Sequence, residues 1–198
     1  MIKFEKVSYG QFYDSYKEMN PELDAEFIGQ MYDDLKLPMR GTAKSAGYDI
    51  FAPYSFELYP GEKIKIPTGI RALMPGNVVL KIYPRSGLGT KNRFTPANLV
   101  GIVDADYAES ANEGHIFMMM VNDGDKPVTI ENGKAFCQGI FQNYLITDDD
   151  VVTTTRNGGF GSTDEVFATG MSVVEEESKD KPVWTFTMAT PNEAVVLS

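Results

Sequence analysis

The sequence has few of the residues that most often build metal centres and nucleophilic sites. It contains one cysteine, Cys137, and one histidine, His115, in 198 residues. A lone cysteine makes no internal disulfide, which fits a reducing interior, and its apolar neighbours predict a buried structural thiol rather than a nucleophile. With one histidine and no cysteine cluster, neither a zinc centre nor a serine-histidine-aspartate triad is expected.

Long apolar runs and excess positive charge are also missing. No apolar segment is long enough to span a membrane, and charges interrupt residues 1–7, so neither a membrane span nor a signal peptide is expected and a cytoplasmic location is predicted. The net charge of −10 argues against binding to nucleic acids or membrane surfaces. A small anionic substrate stays possible if a few cations, with or without a metal ion, gather at one site.

The length fits one domain with appendages, and the first part, residues 1–37, is predicted as a strand followed by a helical insertion. Residues 2–7 alternate as a short strand does, and apolar side chains then recur at helical spacing on both sides of Pro21. Two short amphipathic helices are therefore expected between residues 11 and 35, with their apolar faces packed on the main domain.

Residues 38–150 are rich in short strand patterns separated by turn signals, and this part is predicted as a β core. The predicted strands are 48–52, 55–58, 63–67, 70–74, 78–83, 102–103, 116–122, 128–130 and 139–146. Such spacing is typical of a sandwich, a jelly roll or a small barrel. The missing strand–helix–strand alternation disfavours a Rossmann or P-loop architecture.

Residues 151–164 are glycine-rich and are predicted as a mobile arm, and residues 165–198 as a C-terminal extension of the same single-domain chain. Within the extension, residues 171–175, 183–188 and 194–197 have strand-like patterns.

One stretch, residues 98–107, suggests chemistry most directly, because an apolar run there ends abruptly in Asp104, Asp106 and Tyr107. Carboxylates at the end of a strand can reach a ligand, although an acidic hairpin turn is the simpler interpretation of the stretch alone.

Four further segments share this character, and together the five resemble the ordered motifs of the homotrimeric dUTPase family, enzymes that hydrolyse dUTP to dUMP and pyrophosphate. The segments are 46–50 (AGYDI), 84–89 (PRSGLG), 101–107 (GIVDADY), 133–138 (GKAFCQ) and 156–163 (RNGGFGST). The resemblance covers about residues 38–163 and implies an all-β, distorted jelly-roll β-barrel, a homotrimer and Mg²⁺ as cofactor. It also implies a role in limiting uracil incorporation into DNA and in supplying dUMP for dTMP synthesis.

Residues suited to phosphate occur in three of these segments. Arg85, Ser86 and Gly87 offer a guanidinium, a hydroxyl and an unhindered N–H group, and Gln138 offers an amide donor. A polar β-turn and a turn-capping glutamine are the structural alternatives. The resemblance adds two residues of the arm, Arg156 and Ser162, as phosphate ligands.

The catalytic roles follow from the resemblance. Asp104 is expected to accept the proton of the attacking water, with Asp106 as a secondary candidate, and Asp49 to orient waters around Mg²⁺. Direct metal ligation by the protein is not required, since Mg²⁺ keeps several waters and takes phosphate oxygens.

The resemblance also assigns the residues that bind the nucleoside. Tyr107 is expected to pack on deoxyribose and exclude a ribose 2′-OH, Asn98 to read the polar edge of uracil, and Phe160 to stack on the base. A strand aromatic with a packing role is the alternative for Tyr107.

Three departures from the family pattern stand out. One residue, Asn157, separates Arg156 from the following Gly-Gly-Phe where the family has two, so the path of Arg156 to the terminal phosphate stays open. The turn after Tyr107 is lengthened from Ala108 to Glu113, and the chain continues well past the arm. This loop and the C-terminal extension are candidate surfaces for a protein partner, and such additions favour a phage or viral member acting in host cytoplasm.

The sequence leaves three alternatives to a dUTP-hydrolysing enzyme. A dCTP deaminase of the same fold is disfavoured because the strand 116–121 (IFMMMV) offers no carboxylate. A regulatory, protein-binding module of the dUTPase fold would retain the motifs without needing catalysis. A purely structural β-protein would have to produce all the motifs by accident.

Overall fold

Short strands make up most of the regular structure in the computed structural model, which describes residues 1–153, 171–176 and 183–188, the last two segments as backbone. The elements are β1 (Lys3–Lys6), α1 (Tyr9–Met19), α2 (Ala25–Asp34), β2 (Met39–Arg40), β3 (Tyr48–Phe51), β4 (Ser55–Leu58), β5 (Lys63–Pro67), β6 (Ile70–Leu73), β7 (Val78–Pro84), α3 (Ser86–Asn92), β8 (Phe94–Pro96), β9 (Gly101–Val103), a 3-10 helix (Ala105–Glu109), β10 (Phe117–Asn122), β11 (Val128–Ile130), β12 (Ala135–Asn143), β13 (Met171–Glu176) and β14 (Val183–Met188). The predicted all-β class is confirmed.

The strands form four sheets around one core. A five-stranded sheet has the order β2-β3-β12-β7-β9, and smaller sheets have the orders β11-β4-β14-β13, β5-β10-β8 and β1-β6. In β5 the lysines are exposed and the isoleucines buried, which is the alternation expected of a strand with one face on the core. Large buried side chains such as Phe56, Phe94 and Phe136 fill the centre.

The central strand of the largest sheet, β12, brings distant parts of the sequence side by side. It pairs antiparallel with β3 on one edge and with β7 on the other. Gln138 consequently lies opposite Asp49 on one neighbour and Tyr83 on the other. Three of the five sequence motifs therefore meet at one end of this sheet.

The helical prediction for the N-terminal part is confirmed, and the helices belong to the main core. Ser8 caps α1 by accepting from the Gln11 N–H, and Asp24 caps α2 in the same way. Phe12 and Ile28 are fully buried in the cluster that includes the sheet residues. Their apolar faces thus pack on the domain, as the spacing predicted.

The structure rules out two structural alternatives and corrects one strand boundary. Arg85–Gly87 is not a polar β-turn but the start of α3, which two glycines with low helix propensity had concealed. Asp104–Tyr107 is not a hairpin turn but the entry to a 3-10 helix with Tyr107 buried in it. The strand predicted to begin at residue 139 begins at Ala135, so Gln138 lies inside a strand rather than at the end of a turn.

The C-terminal extension contributes backbone to the fold. Strands β13 and β14 form an antiparallel hairpin, and β14 runs parallel to β4 with Thr185 opposite Ser55. Residues 154–164 of the predicted arm and the strand-like residues 194–197 lie outside the described residues. The domain boundaries proposed from the sequence stay predictions.

Two residues singled out for their rarity are both buried. Cys137 is fully buried, which confirms the structural thiol. Its burial, and to a smaller extent the charge of Asp49, raise the pKa of the thiol well above the usual value.

Among the described residues, no helix is long and apolar enough to cross a membrane.

His115 joins α1 to the β core. The Gly69 N–H donates to Nε2 at 2.8 Å, and Nδ1 lies 3.1 Å from Ser15 Oγ on α1. Ser15 Oγ uses its hydrogen on the Gln11 carbonyl, so Nδ1 carries the proton of a neutral ring and donates to Ser15. Burial lowers the pKa of His115 to about 4, against a weaker opposing effect of Glu113.

This buried ring makes folding pH-dependent. The pKa of His115 is about 4 when folded and 6.5 for a histidine in open solvent, so the unfolded chain binds more protons between these values and stability falls as pH drops through that window. From pH 7 to pH 4 the wild type should lose about 3 kcal/mol more unfolding free energy than His115→Gln, which keeps an acceptor for Gly69. Urea unfolding at several pH values measures the difference, and parallel pH profiles for the two proteins would contradict it.

Candidate functional site

The five-stranded sheet brings a carboxylate, a guanidinium and an amide together. Arg85, which follows β7, places its Nε 3.0 Å from Oδ1 of Asp49 on β3. Gln138, on the strand between them, donates from Nε2 to the Pro84 carbonyl at 3.1 Å. Both members of the ion pair keep part of their surface exposed, so the pair is accessible to a ligand.

These side chains border an open cavity of about 520 Å³. Leu88 is the one large apolar residue in its lining, which consists of Gly41, Thr42, Ser45, Gly47, Asp49, Arg85, Ser86, Gly87, Leu88, Lys91 and Gln138. Two cations face one carboxylate in a chain whose net charge is −10. The cavity is therefore a local concentration of positive charge and hydroxyl groups, which suits an anion with several oxygens.

Local backbone geometry supplies further donors on the α3 side. Arg85 is the N-cap residue of α3, and Ser86 and Gly87 form its first turn. N–H groups in a first turn have no partner within the helix, so they are available to an anion together with the Ser86 hydroxyl.

On the opposite wall, Gly47 lets the backbone approach the Gln138 amide closely. A Cβ built on Gly47 would lie 2.3 Å from Oε1 of Gln138, so any larger residue would push this amide out of place.

Sequence reasoning missed Thr42, Ser45 and Lys91, which also line the cavity. Thr42 and Ser45 exchange hydrogen bonds within one turn, and Arg40 clamps that turn by donating to the carbonyls of Ala43 and Ser45. The dense run of small polar residues before the first motif was the available signal. Lys91 was hidden because the segment was not recognised as a helix.

The predicted base, Asp104, lies elsewhere in the protomer. Val103 pairs with Leu80, so the next residue, Asp104, lies beside the start of β7, whereas Arg85 follows its end. Six residues of extended strand lie between the positions of Asp104 and Arg85 along β7, which places them roughly 20 Å apart. Within one protomer the structure does not bring Asp104 to the cavity.

Asp104 and the other predicted residues near it in the sequence differ in their exposure to solvent. Asp104 is half-buried, while Asp106 and Asn98 are exposed. Tyr107 is 2% exposed, donates its hydroxyl to the His115 carbonyl and accepts from Asn112 Nδ2. The remaining predicted residues, Arg156, Phe160 and Ser162, lie outside the described residues.

The donor set limits how a metal ion would bind. Among the described residues, no group of three or more His, Cys, Asp or Glu side chains is arranged to hold a metal. The cavity has one carboxylate, Asp49, which fits an ion held mainly by waters and by ligand oxygens.

Comparison with known proteins gives a consistent result. The family model described as dUTPase matches residues 33–164. The deoxyuridine 5′-triphosphate nucleotidohydrolase of Lactococcus lactis subsp. lactis is 43% identical over 132 residues, covering 65% of this chain and 88% of the relative. The Actinobacillus pleuropneumoniae serotype 3 enzyme of the same name is 36% identical over 149 residues, with 71% and 95% covered.

Solved structures agree with these matches. The crystal structure of dUTPase from Streptococcus mutans has a TM-score of 0.55 at 33% identity and covers 74% of this chain and 98% of that one. The dUTPase from phage phi11 of S. aureus has a TM-score of 0.55 at 18% identity, with 78% and 97% covered, which supports the fold alone. The matched region holds every predicted site residue, while residues 1–32 and 165–198 lie outside it.

Arg85→Ala should weaken binding of inorganic tripolyphosphate by about 10- to 100-fold, the usual value of a charged hydrogen bond. Arg71→Ala is the matched control, because Arg71 forms a comparable pair with Glu5 at 2.8 Å but does not line the cavity. Isothermal titration calorimetry measures both affinities. Equal losses in the two variants would show that net charge, rather than the cavity, determines the binding.

Proposed function

The chain belongs to the dUTPase family, and from this we infer that it hydrolyses dUTP to dUMP and pyrophosphate. The observation that carries the proposal is the cavity in which Arg85 and Lys91 face hydroxyl and amide donors, within the region that matches the family. Removing dUTP limits uracil incorporation into DNA, and the product dUMP serves dTMP synthesis. A cytoplasmic location is part of the proposal.

The triphosphate binds in this cavity. Arg85 holds a phosphate oxygen through its guanidinium, helped by the Ser86 hydroxyl, the first-turn N–H groups of α3 and the Gln138 amide. To do so Arg85 must share or leave its ion pair with Asp49, whose carboxylate then becomes available to water. Asp49 would orient the waters around a bound Mg²⁺, and such an ion would supply positive charge to neutralise the phosphates.

Bond breaking requires a water molecule aligned with the α-phosphorus. Asp104 accepts a proton from this water as it attacks, and pyrophosphate leaves on the opposite side of the phosphorus. Asp106, which follows in the same segment and is exposed, is the secondary candidate for the base. General-base assistance of this kind typically contributes about 10²–10⁴-fold to the rate.

The site is assembled between subunits of a homotrimer. Asp104 and Arg85 flank opposite ends of β7, roughly 20 Å apart within one protomer, which is too far for one substrate phosphate. A second copy that presents Asp104 to the cavity removes this gap. β9 is suited to meet another subunit because it is an edge strand of its sheet and Ile102 is 50% exposed.

The remaining contacts give specificity. The nearly buried Tyr107 ring forms a fixed wall beside deoxyribose that leaves no room for a 2′-OH, and the exposed Asn98 reads the uracil edge. From the arm, Phe160 stacks on the base, and Arg156 with Ser162 reaches the phosphates. A protein partner at the Ala108–Glu113 loop or the C-terminal extension is compatible with this activity.

A substrate panel tests the proposal. With Mg²⁺ present, pyrophosphate should be released from dUTP and not from dCTP, dTTP or UTP, and no ammonia should appear. Ammonia from dCTP would favour the deaminase, and binding of dUTP without turnover would favour the regulatory module.

In the same assay, Asp104→Asn should lower turnover of dUTP by at least about 10²-fold while nucleotide affinity stays nearly unchanged, because the amide keeps the shape but does not accept the proton. Turnover near the wild-type level would remove Asp104 from this role.

Mixed oligomers test the shared site. Arg85→Ala and Asp104→Asn proteins, each strongly impaired alone when dUTP is kept below the wild-type KM, should regain about a quarter of wild-type activity when co-assembled in equal amounts, because each site takes the two residues from different subunits. The control is a mixture of the preformed oligomers without subunit exchange. Activity that stays at the level of the separate variants after verified exchange would place both residues in one protomer.

A further inference from the structure

The hydroxyl of Tyr107 is fixed by two hydrogen bonds. It donates to the His115 carbonyl at 2.7 Å and accepts from Asn112 Nδ2 at 2.8 Å. The side chain is 2% exposed, so these contacts hold a ring that has little solvent around it. The two partners determine where the ring edge lies.

The amide of Asn112 is itself oriented. Its Oδ1 accepts from the Gly114 N–H at 3.2 Å and lies 2.6 Å from Ser110 Oγ. With the oxygen engaged by donors, the NH₂ group is the one directed at Tyr107, so the hydrogen bond to the phenol oxygen has a defined direction.

The carbonyl of His115 is held through its ring. Both ring nitrogens have partners, Gly69 N–H on the core side and Ser15 Oγ on α1, so the ring cannot turn without breaking buried hydrogen bonds. The backbone of His115, which presents the carbonyl to Tyr107, is therefore anchored to the N-terminal helix as well as to the sheet.

The loop that carries Asn112 has a second anchor on the same helix. Glu113 accepts from the Ser8 N–H at 2.8 Å and from Ser8 Oγ at 2.6 Å, and these bonds lower the pKa of its carboxyl. Gly114 has φ +73°, and a Cβ there would lie 2.6 Å from the Cα of Ala108. The two ends of the loop, at Ala108 and Gly114, therefore lie close together, and Glu113 joins the loop to Ser8 at the start of α1.

We propose that Asn112 and His115 are positioning residues that hold Tyr107 in place, with α1 as their support, and so set the preference for deoxyribose over ribose. The inference rests on the proposed function, which assigns Tyr107 to the sugar. Exclusion of one hydroxyl group requires a wall that does not yield, because a ring free to shift by about an ångström would admit the 2′-OH.

The support is a feature of this chain's additions. The family model begins at residue 33, so Ser8 and Ser15 lie outside it. The lengthened loop after Tyr107 supplies Asn112 and Glu113. The N-terminal helix and the lengthened loop therefore act together on one side chain of the proposed nucleoside site.

Affinity for dUDP and UDP tests the proposal without relying on turnover. In Asn112→Ala the ratio of the UDP dissociation constant to the dUDP dissociation constant should fall by about tenfold from the wild-type ratio, through tighter UDP binding or weaker dUDP binding. The reason is that the Tyr107 hydroxyl loses one of its two hydrogen-bond partners. Asn77→Ala, which truncates an exposed asparagine in the turn before β7, should leave the ratio unchanged. Calorimetry in Mg²⁺ buffer measures all six affinities, those of the wild type and the two variants for each nucleotide.

A second pair of variants separates positioning from loss of fold. Ser15→Ala should also lower the ratio, by less than Asn112→Ala, since it acts one step further away. In a Tyr107→Phe background, Asn112→Ala should lower the ratio no further, because the hydroxyl it holds is gone. A merely structural role would reduce the fraction of binding-competent protein for both nucleotides alike and leave the ratio unchanged.

The outcomes distinguish the two claims. An unchanged ratio in folded Asn112→Ala, or a wild type that binds dUDP and UDP equally, overturns the positioning role. A wild type that prefers dUDP, loses the preference in Asn112→Ala and yet releases no pyrophosphate from dUTP supports the positioning role and overturns the proposed hydrolysis.

Discussion

The pairing of β12 with both β3 and β7 is the constraint on which the candidate site depends. Hydrogen bonding in the two antiparallel ladders places Gln138 between Asp49 and Tyr83, and the chain leaving β7 then carries Arg85 to the Asp49 carboxylate. Because side chains alternate along a strand, a slip of one residue in either ladder would turn one of these groups to the other face of the sheet. The register thus decides whether this cavity exists.

The same sheet also divides the proposed chemistry. The long strand β7 has the cavity after its last residue and the segment with Asp104 beside its first. In the proposed mechanism, a single protomer therefore contributes to two different sites. Association of subunits then does more than add stability, because it brings Asp104 of one subunit to the cavity of another.

The described segments outside the family model, residues 1–32, 171–176 and 183–188, are joined to the rest of the fold. Phe12 and Tyr16 of α1 are fully buried in the common core, and Tyr16 donates to the Pro67 carbonyl. At the other end, β14 extends the sheet of β4. Additions that share the core in this way can influence a site by fixing the elements around it, which is how we interpret the contacts between α1 and the loop after Tyr107.

Periodicity and turn residues were sufficient to predict most strands, both N-terminal helices and the burial of Cys137, because these depend on local patterns of apolar and polar side chains. The same level of reasoning failed at α3, where Gly87 and Gly89 hide a short helix that its surroundings stabilise. It failed again at the 3-10 helix after Asp104, since one buried aromatic side chain leaves no periodic signal.

The sequence by itself determined the fold class and the family, since motifs and alternation are local properties of the chain. The tertiary structure alone decided that Asp49, Arg85 and Gln138 share a cavity while Asp104 lies far from it. It also decided that Lys91 and Thr42 join the cavity and that His115 connects α1 to Tyr107. These relations depend on strand register and helix packing, which join residues distant in the chain and which no local pattern encodes.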